Sequence, residues 1–273
     1  MVANASHAEL AHLRELLRSR TERRASRTYV LEGRRSVDQA IDLGAAIELV
    51  FVTAERLENY LQLGDWLRVV PERRLAQISS LTNTDGVIGL APMETTTLAV
   101  LATQECILFP VGLQDPGNLG TLIRSALAFY QRVGLVIGPR TVDPFSPKVV
   151  RATTGLISLV AVGEVEDYEQ SLIELGDAGV NRLALVPHVE GNLGEVSSSV
   201  PLALLVGSEA HGVGDTLLDY CDGVISIPQH AHVESLNAGV AGSIALFQLA
   251  QAHGVSIPGG TTVPNTTAPG TDE

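Results

Sequence analysis

The sequence predicts an α/β protein in two units: a small α/β unit, then a larger one built on a doubly wound parallel sheet. Three observations carry this. The chain of 273 residues is too long for one average domain and suits two. Residues 104–254 alternate short apolar runs with helical patterns, as successive βαβ units do. Those runs are apolar almost without interruption, as strands covered on both faces must be.

Taken in order, residues 5–20 place Leu10, Leu13, Leu16 and Leu17 on one side of a helix. An arginine-rich stretch follows, then a short strand at 28–31. Ser36 is placed to cap a helix running to Gly44. IELVFVT (47–53) reads as a strand, Pro71 opens a helix over 72–79, and GVIGLA (86–91) reads as another strand. These elements assign 1–93 to the small unit. Pro92, Glu94 and the threonines at 95–97 break both periodicities, so 94–103 reads as a linker. In 104–254 the strands are predicted at 106–113, 132–138, 159–163, 182–187, 202–207 and 223–228. Helices are predicted at 118–130, 146–157, 167–178, 213–221 and 235–252. The remainder, 255–273, is polar and rich in Pro, Gly and Thr, and is expected to be disordered. No internal repeat is visible.

Composition excludes several functions. No apolar run approaches the ~18–20 residues that span a bilayer. The segment MVANASHAEL has neither a basic region nor an apolar core, so no signal peptide is read there. Cys106 and Cys221 read as thiols of a reducing compartment rather than a disulfide framework, and a cytoplasmic location is expected. Aromatic residues are 4%, too few for a protein that grips single strands mainly by stacking bases.

The net charge of −13 is unevenly spread. Residues 1–93 hold 12 arginines and 12 carboxylates, while 94–273 hold 6 basic and 19 acidic residues. Arg14, Arg18, Arg20, Arg23, Arg24, Arg27, Arg34 and Arg35 fall within 22 residues. Such a cluster is either a solvated helix face or an electrostatic footprint for nucleic acid. Lys148 is the only lysine.

Three loops carry the candidate chemistry. In LQDPGNLGTLIRSALAF (113–129) a strand ends, a turn follows, and a helix begins near Asn118. Asn118 as a cap explains most of this segment. It leaves Arg124, flanked by Ile123, Ala126 and Leu127, in need of a partner or an anionic ligand. In LLVGSEAHGV (204–213) a buried strand runs into Gly207, Glu209 and Gly212; Glu209 is a capping residue or a site carboxylate. The Gly-x-Ser-x-Gly and GxGxxG patterns are absent, so neither a hydrolase elbow nor an ordinary dinucleotide site is supported. In ISIPQHAHVESLNAGVAGSIALFQLA (225–250), Ser235, Asn237, Gly239 and Gly242 give the start of a helix small side chains. His230, His232 and Glu234 alternate there, but supporting soft ligands are few, and no metal is expected.

Together the three loops resemble the motifs of the SpoU/TrmH family of RNA 2′-O-ribose methyltransferases, in the SPOUT superfamily. Motif 1 is matched by Asp115, Pro116, Asn118, Gly120 and Arg124, and motif 2 by Gly207, Glu209 and Gly212. Motif 3 is matched by Ile227, Pro228, Ser235, Leu236 and Asn237. SPKVVRATTG (146–155) is similar to a further family segment. Residues 27–91, through Leu31-Glu32-Gly33 and the helix after it, resemble the family's N-terminal substrate-binding domain, itself similar to ribosomal protein L30e. The chain departs from the family at Gln229, Ala231, Ala238 and Tyr130, where Met, Gly, Val and Gly are usual.

The resemblance implies a C-terminal trefoil knot and a homodimer. It implies S-adenosyl-L-methionine as methyl donor, held by Pro187, Gly207, Ile227, Gln229, Ser235, Leu236 and Asn237. It names Arg124, Asn118, Glu209, Ser235 and Asn237 as catalytic. A guanidinium holds its proton above pH ~12, so Arg124 reads better as a cation that binds phosphate and stabilises a developing alkoxide than as a base. Asn118 orients Arg124 or the ribose; Glu209 orders the motif loops or pairs with Arg124. RNA contact is expected from Arg20, Arg23, Arg24, Arg27, Arg34, Arg35, Lys148 and Arg151. Large-subunit rRNA ranks above tRNA as substrate. The alternatives are a tRNA enzyme, a base-nitrogen methyltransferase, and a knotted RNA-binding relative without catalysis.

Overall fold

The computed structural model describes residues 2–82, 84–187, 201–230, 232 and 235–252. Ala231, Glu234 and the expected tail at 255–273 lie outside the described residues.

The N-terminal lobe is a mixed five-stranded sheet: β1 (Ala3–Asn4), β2 (Thr28–Glu32), β3 (Leu49–Val52), β4 (Leu67–Val69) and β5 (Val87–Pro92), in the order β1-β4-β3-β5-β2. β5 runs antiparallel to both β2 and β3, and β4 runs parallel to β3 and β1. The helix expected over 5–20 is α1 (His7–Arg18), and the arginine-rich stretch after it forms a second helix, α2 (Arg20–Ser26). Ser6 and Glu9 form a capping box that starts α1, and extended Ser19 ends it and caps α2 through Glu22 N. Leu13 and Leu16 of α1 are fully buried against the sheet, each contributing about 1.5–3 kcal/mol of burial. α3 (Arg34–Asp42) starts earlier than predicted. Gly33, at φ 90, precedes it, and the expected cap Ser36 is buried inside its first turn. Residues Ala54–Trp66, unassigned from sequence, form 3₁₀ turns kinked at Gly64. α4 (Glu72–Ile78) follows Pro71 as expected.

The C-terminal lobe is a six-stranded, all-parallel sheet in the order β11-β9-β10-β6-β7-β8. Its strands are β6 (Cys106–Val111), β7 (Val133–Ile137), β8 (Val160–Glu164), β9 (Asn181–Leu185), β10 (Leu202–Gly207) and β11 (Gly223–Ile225). All residues of β6 and β7 are buried, which explains their uninterrupted apolar character. The expected linker at 94–103 is instead built into this lobe. Thr96 N donates to Val162 O at 2.7 Å, and Thr97 caps α5 (Leu98–Leu101), whose Leu101 is fully buried.

The helices between the strands are α6 (Pro116–Phe129), α7 (Pro147–Ala152), α8 (Tyr168–Asp177), α9 (Asp215–Leu218) and α10 (Ala238–Ala252). The predicted helix 146–157 breaks at Thr154 (φ 54) and Gly155 (φ 86). A Cβ on Gly155 would lie 2.6 Å from the Ser36 carbonyl oxygen, so the break lets the chain pass close to the N-terminal lobe. One core runs through both lobes, and the rings of Tyr29 and Phe145 pack across it with centroids 5.2 Å apart. No helix among the described residues is long and apolar enough to cross a membrane.

Candidate functional site

The site grows from the carboxyl ends of β6 and β10. They are neighbours at the centre of the sheet, where strand order reverses and such folds place ligands. After β6, Asp115 accepts from Asn118 N at 2.8 Å and Pro116 opens α6. The cap is therefore Asp115 and not Asn118. This frees the Asn118 side chain, 7% exposed, to donate from Nδ2 to Glu209 Oε1. Glu209 sits on the loop after β10, where Gly212 N returns to Ser208 O at 2.8 Å. A Cβ on Gly207 would collide with the backbone of Gly212, so this tight return needs glycine.

The third loop closes the site. α10 begins at Ala238 rather than 235 because Asn237 Oδ1 accepts from Val240 N at 3.1 Å. α10 lies against α6 through its glycines. A Cβ on Gly239 would sit 3.1 Å from Asn118 Cα, and one on Gly242 would collide with Leu122. Ser125 and Ser243 hydroxyls bond at 2.7 Å between the two helices.

Between these loops lies a cavity lined by Pro187, Gly207, Ile227, Gln229, Ser235 and Leu236, with Glu209 on its wall. Six of the seven residues expected to hold the donor thus meet. Asn237 does not line the cavity; it caps α10 beside it. Gln229 Nε2 donates to Pro187 O at 3.3 Å, while its Oε1 is buried without a hydrogen-bond partner among the described residues. Arg124, one turn along α6 from Gly120, is exposed and has no ion pair or hydrogen bond among the described residues. It does not pair with Glu209, whose Oε1 takes Asn118 instead.

The expected RNA-contact residues divide. Arg20, Arg27, Arg35 and Lys148 are exposed, and Arg34 is exposed in a loose pair with Asp38 at 3.1 Å. Arg23 departs from the expectation. It is 4% exposed, bonded to Asp143 at 2.6 Å and to Leu16 O at 2.7 Å, and so is a structural tie between the lobes. Arg24 pairs with Glu164, and Arg151 with buried Glu32. Sequence reasoning missed Arg140, which holds φ 60 on an exposed turn; no local pattern signals that conformation.

Thiol chemistry finds no support: burial pushes the Cys221 thiol up to about 11 and raises Cys106 further. Among the described residues no group of three or more His, Cys, Asp or Glu is arranged to hold a metal ion.

Comparison with known proteins agrees with this geometry. The model of the SpoU rRNA methylase family matches residues 105–247, and that of an MRM3-like substrate-binding domain matches 12–89. An uncharacterised tRNA/rRNA methyltransferase of Synechocystis sp. is 30% identical over 238 residues, covering 84% of this chain and 86% of that protein. The structure of an AdoMet-bound rRNA methyltransferase from Sinorhizobium meliloti superposes with a TM-score of 0.75 at 27% identity, covering 92% of this chain and 97% of that one. An RNA 2′-O ribose methyltransferase structure gives 0.72 at 28% identity, covering 92% and 99%. With motifs 2 and 3 lining one cavity, motif 1 bonded to its wall through Asn118 and Glu209, and the family model spanning more than half of its length, this chain belongs to the SpoU methylase family.

Proposed function

We propose that this protein methylates the ribose 2′-hydroxyl of a nucleotide in large-subunit rRNA, using S-adenosyl-L-methionine, as a cytoplasmic homodimer with a knotted C-terminal lobe. The observation that carries the reading is the Asn118–Glu209 hydrogen bond, which ties motif 1 to motif 2, whose Gly207 and Glu209 line the same cavity as Ile227, Ser235 and Leu236 of motif 3. The names of the Sinorhizobium meliloti and ribose methyltransferase relatives support donor and acceptor.

The residues present fit the donor. The cavity's Ile227 and Leu236 suit an apolar ring, and the buried Gln229 Oε1 is an acceptor waiting for an amino group such as adenine's. The donor's sulfonium already carries the charge that activates its methyl. The chain's own task is to orient the acceptor and handle its proton. Arg124 stays cationic, binds the neighbouring phosphate and stabilises the oxygen as it loses its proton to phosphate or water. Glu209 orders the two loops through Asn118. Ser235 positions the ribose from the cavity wall, and Asn237 does so from the cap of α10.

The exposed side of α10 also favours a second copy of the chain. Val240 and Phe247 on α10 are 47% and 43% exposed, and Phe247 packs on Phe129 of α6. A partner seated there would cover these apolar groups.

The test is transfer of labelled methyl to total RNA lacking this modification, with Arg124→Ala alongside. Label in one large-subunit rRNA nucleotide as an alkali-resistant 2′-O-methyl, lost at least a hundredfold in the variant, is expected. Label in a base, in tRNA or in no RNA would overturn the corresponding part of the reading.

A further inference from the structure

The parallel sheet splits at the end of β6. Pro110 has no N–H to offer, and pairing of β6 with β7 stops at Leu108. Beyond it the Pro110 carbonyl is taken by Thr141 Oγ1 at 3.1 Å. The opening holds a cavity of about 620 Å³, bounded by the Glu209 loop on one side and by the turn 138–141 on the other. A second cavity, of about 470 Å³, shares Pro139, Arg140 and Glu166 with the first and ends at Arg20 and Arg24 of α2. The two make one trough from the arginine-bearing helix to Glu209.

Arg140 stands where they join. Its φ of 60 lies in the left-handed region, which is costly for a side chain with a Cβ. The turn is nevertheless held firmly. The Tyr168 hydroxyl lies 2.8 Å from Pro139 O, 2.9 Å from Thr141 Oγ1 and 3.3 Å from Gly112 N. The Tyr168 ring occupies the space where a Cβ on Gly138 would stand. A strained residue kept in place by several independent bonds is a mark of a functional position. Arg140 is exposed and has no ion pair or hydrogen bond among the described residues, whereas Arg24 is already taken by Glu164.

We propose that Arg140 grips a backbone phosphate of the substrate RNA, leading the strand from α2 along the trough to the nucleotide held beside Asn118 and Glu209. This rests on the RNA methyltransferase reading. The guanidinium fork suits two phosphate oxygens. Glu166, Asp167 and Glu169 on the cavity walls repel phosphate elsewhere, so a lone cation at the junction registers one phosphate. The same carboxylates are left to accept from base amino groups.

The test measures affinity for a labelled, mixed-sequence single-stranded RNA across a salt series, with donor binding followed by calorimetry. Arg140→Ala should weaken RNA binding about tenfold and lower the salt slope by about 1, while donor affinity stays. Arg140→Gly should lose the same affinity yet melt higher, because it relieves the backbone. Arg140→Lys should keep the slope. Arg73→Ala, which removes an exposed arginine that lines neither cavity, should change neither. Unchanged affinity in Arg140→Ala, or an equal loss in Arg73→Ala, would overturn the proposal and leave the methyltransferase reading standing. Loss of donor affinity in Arg140→Ala would assign the residue to the fold and equally sink it. Absence of RNA affinity in the unaltered protein would bring down both.

Discussion

The Glu32 carboxylate, on the last residue of β2, is bonded to the Arg151 guanidinium on α7, and the pair joins the two lobes. The Glu32 side chain is 1% exposed and also accepts from Ser79 Oγ, Ser80 N and Ser80 Oγ. Arg151 adds a bond to Ser80 Oγ at 2.7 Å. Its neighbour Ala152 is in such close contact with Gly120 of α6 that a Cβ there would collide. Glu32 thus reaches the helix carrying Asn118 and Arg124 through two packed contacts. The Leu-Glu-Gly and SPKVVRATTG segments, read from sequence as separate landmarks, are two halves of one joint.

Arg151→Ala should therefore destabilise the protein by about 3 kcal/mol, because it leaves a buried carboxylate with hydroxyl and amide partners only. Glu32→Gln keeps an acceptor for Ser80 N and should cost less, about 1–2 kcal/mol. Urea unfolding measures both. If the joint also sets the angle between lobes, Glu32→Gln should raise KM for RNA more than it lowers kcat. Equal stability of Arg151→Ala and the unaltered protein would show that the pair contributes nothing.

Gln229 offers a test inside the cavity. Its amide bridges to the carbonyl of Pro187 and leaves Oε1 buried without a partner among the described residues. Gln229→Met, the residue usual in the resembling family, cannot make either bond. If Oε1 accepts from the donor's adenine amino group, the variant should bind S-adenosyl-L-methionine up to about tenfold more weakly. Calorimetry with the donor and with its deaminated inosyl analogue checks this. The unaltered protein should discriminate between them and Gln229→Met should not. Equal discrimination by both would remove Gln229 from donor recognition.

Much of this was legible in the chain, and the misses share a cause. Uninterrupted apolar runs at 106–111 and 202–207 announce central parallel strands because burial on both faces leaves no alternation to hide them. Asn118, Glu209 and Gly207 are legible because a strand end followed by a tight turn is a local pattern. Arg23 is not. Its type and neighbours match an RNA footprint, and its partner Asp143 lies 120 positions away. The cap was misread for a smaller reason: Asp115 and Asn118 are both good caps, and only the backbone decides between them. Arg140 is illegible because its turn is held by bonds from Tyr168, 28 positions later, to Pro139 and Thr141, and no pattern in its own sequence marks the left-handed backbone.

The last prediction concerns pH and a clamp remote from the site. Asp222 Oδ2 accepts from Arg182 N at 2.8 Å and Arg182 Nε at 2.9 Å, Oδ1 accepts from Nη2 at 2.7 Å, and Asp222 N returns to Arg182 O at 2.8 Å. This fastens the start of β9 to the residue before β11, the two strands that carry Leu185 and Ile225 toward the cavity. The Arg182 side chain holds the Asp222 carboxyl below its ordinary value of 3.8. A depressed folded value means stabilisation that is fully present above the unfolded value and is lost as pH falls through the folded one. Asp222 is 42% exposed, so solvent screens the pair, and about 1 kcal/mol is expected at neutral pH. The stability difference between the unaltered protein and Asp222→Asn should therefore be close to that figure near pH 7. It should shrink as pH drops below 3.8, the range in which the unfolded carboxyl protonates first. Denaturation near pH 7 and below pH 3.8 checks this, and a difference that stays the same on acidification would assign the clamp's worth to uncharged hydrogen bonds rather than to its charge.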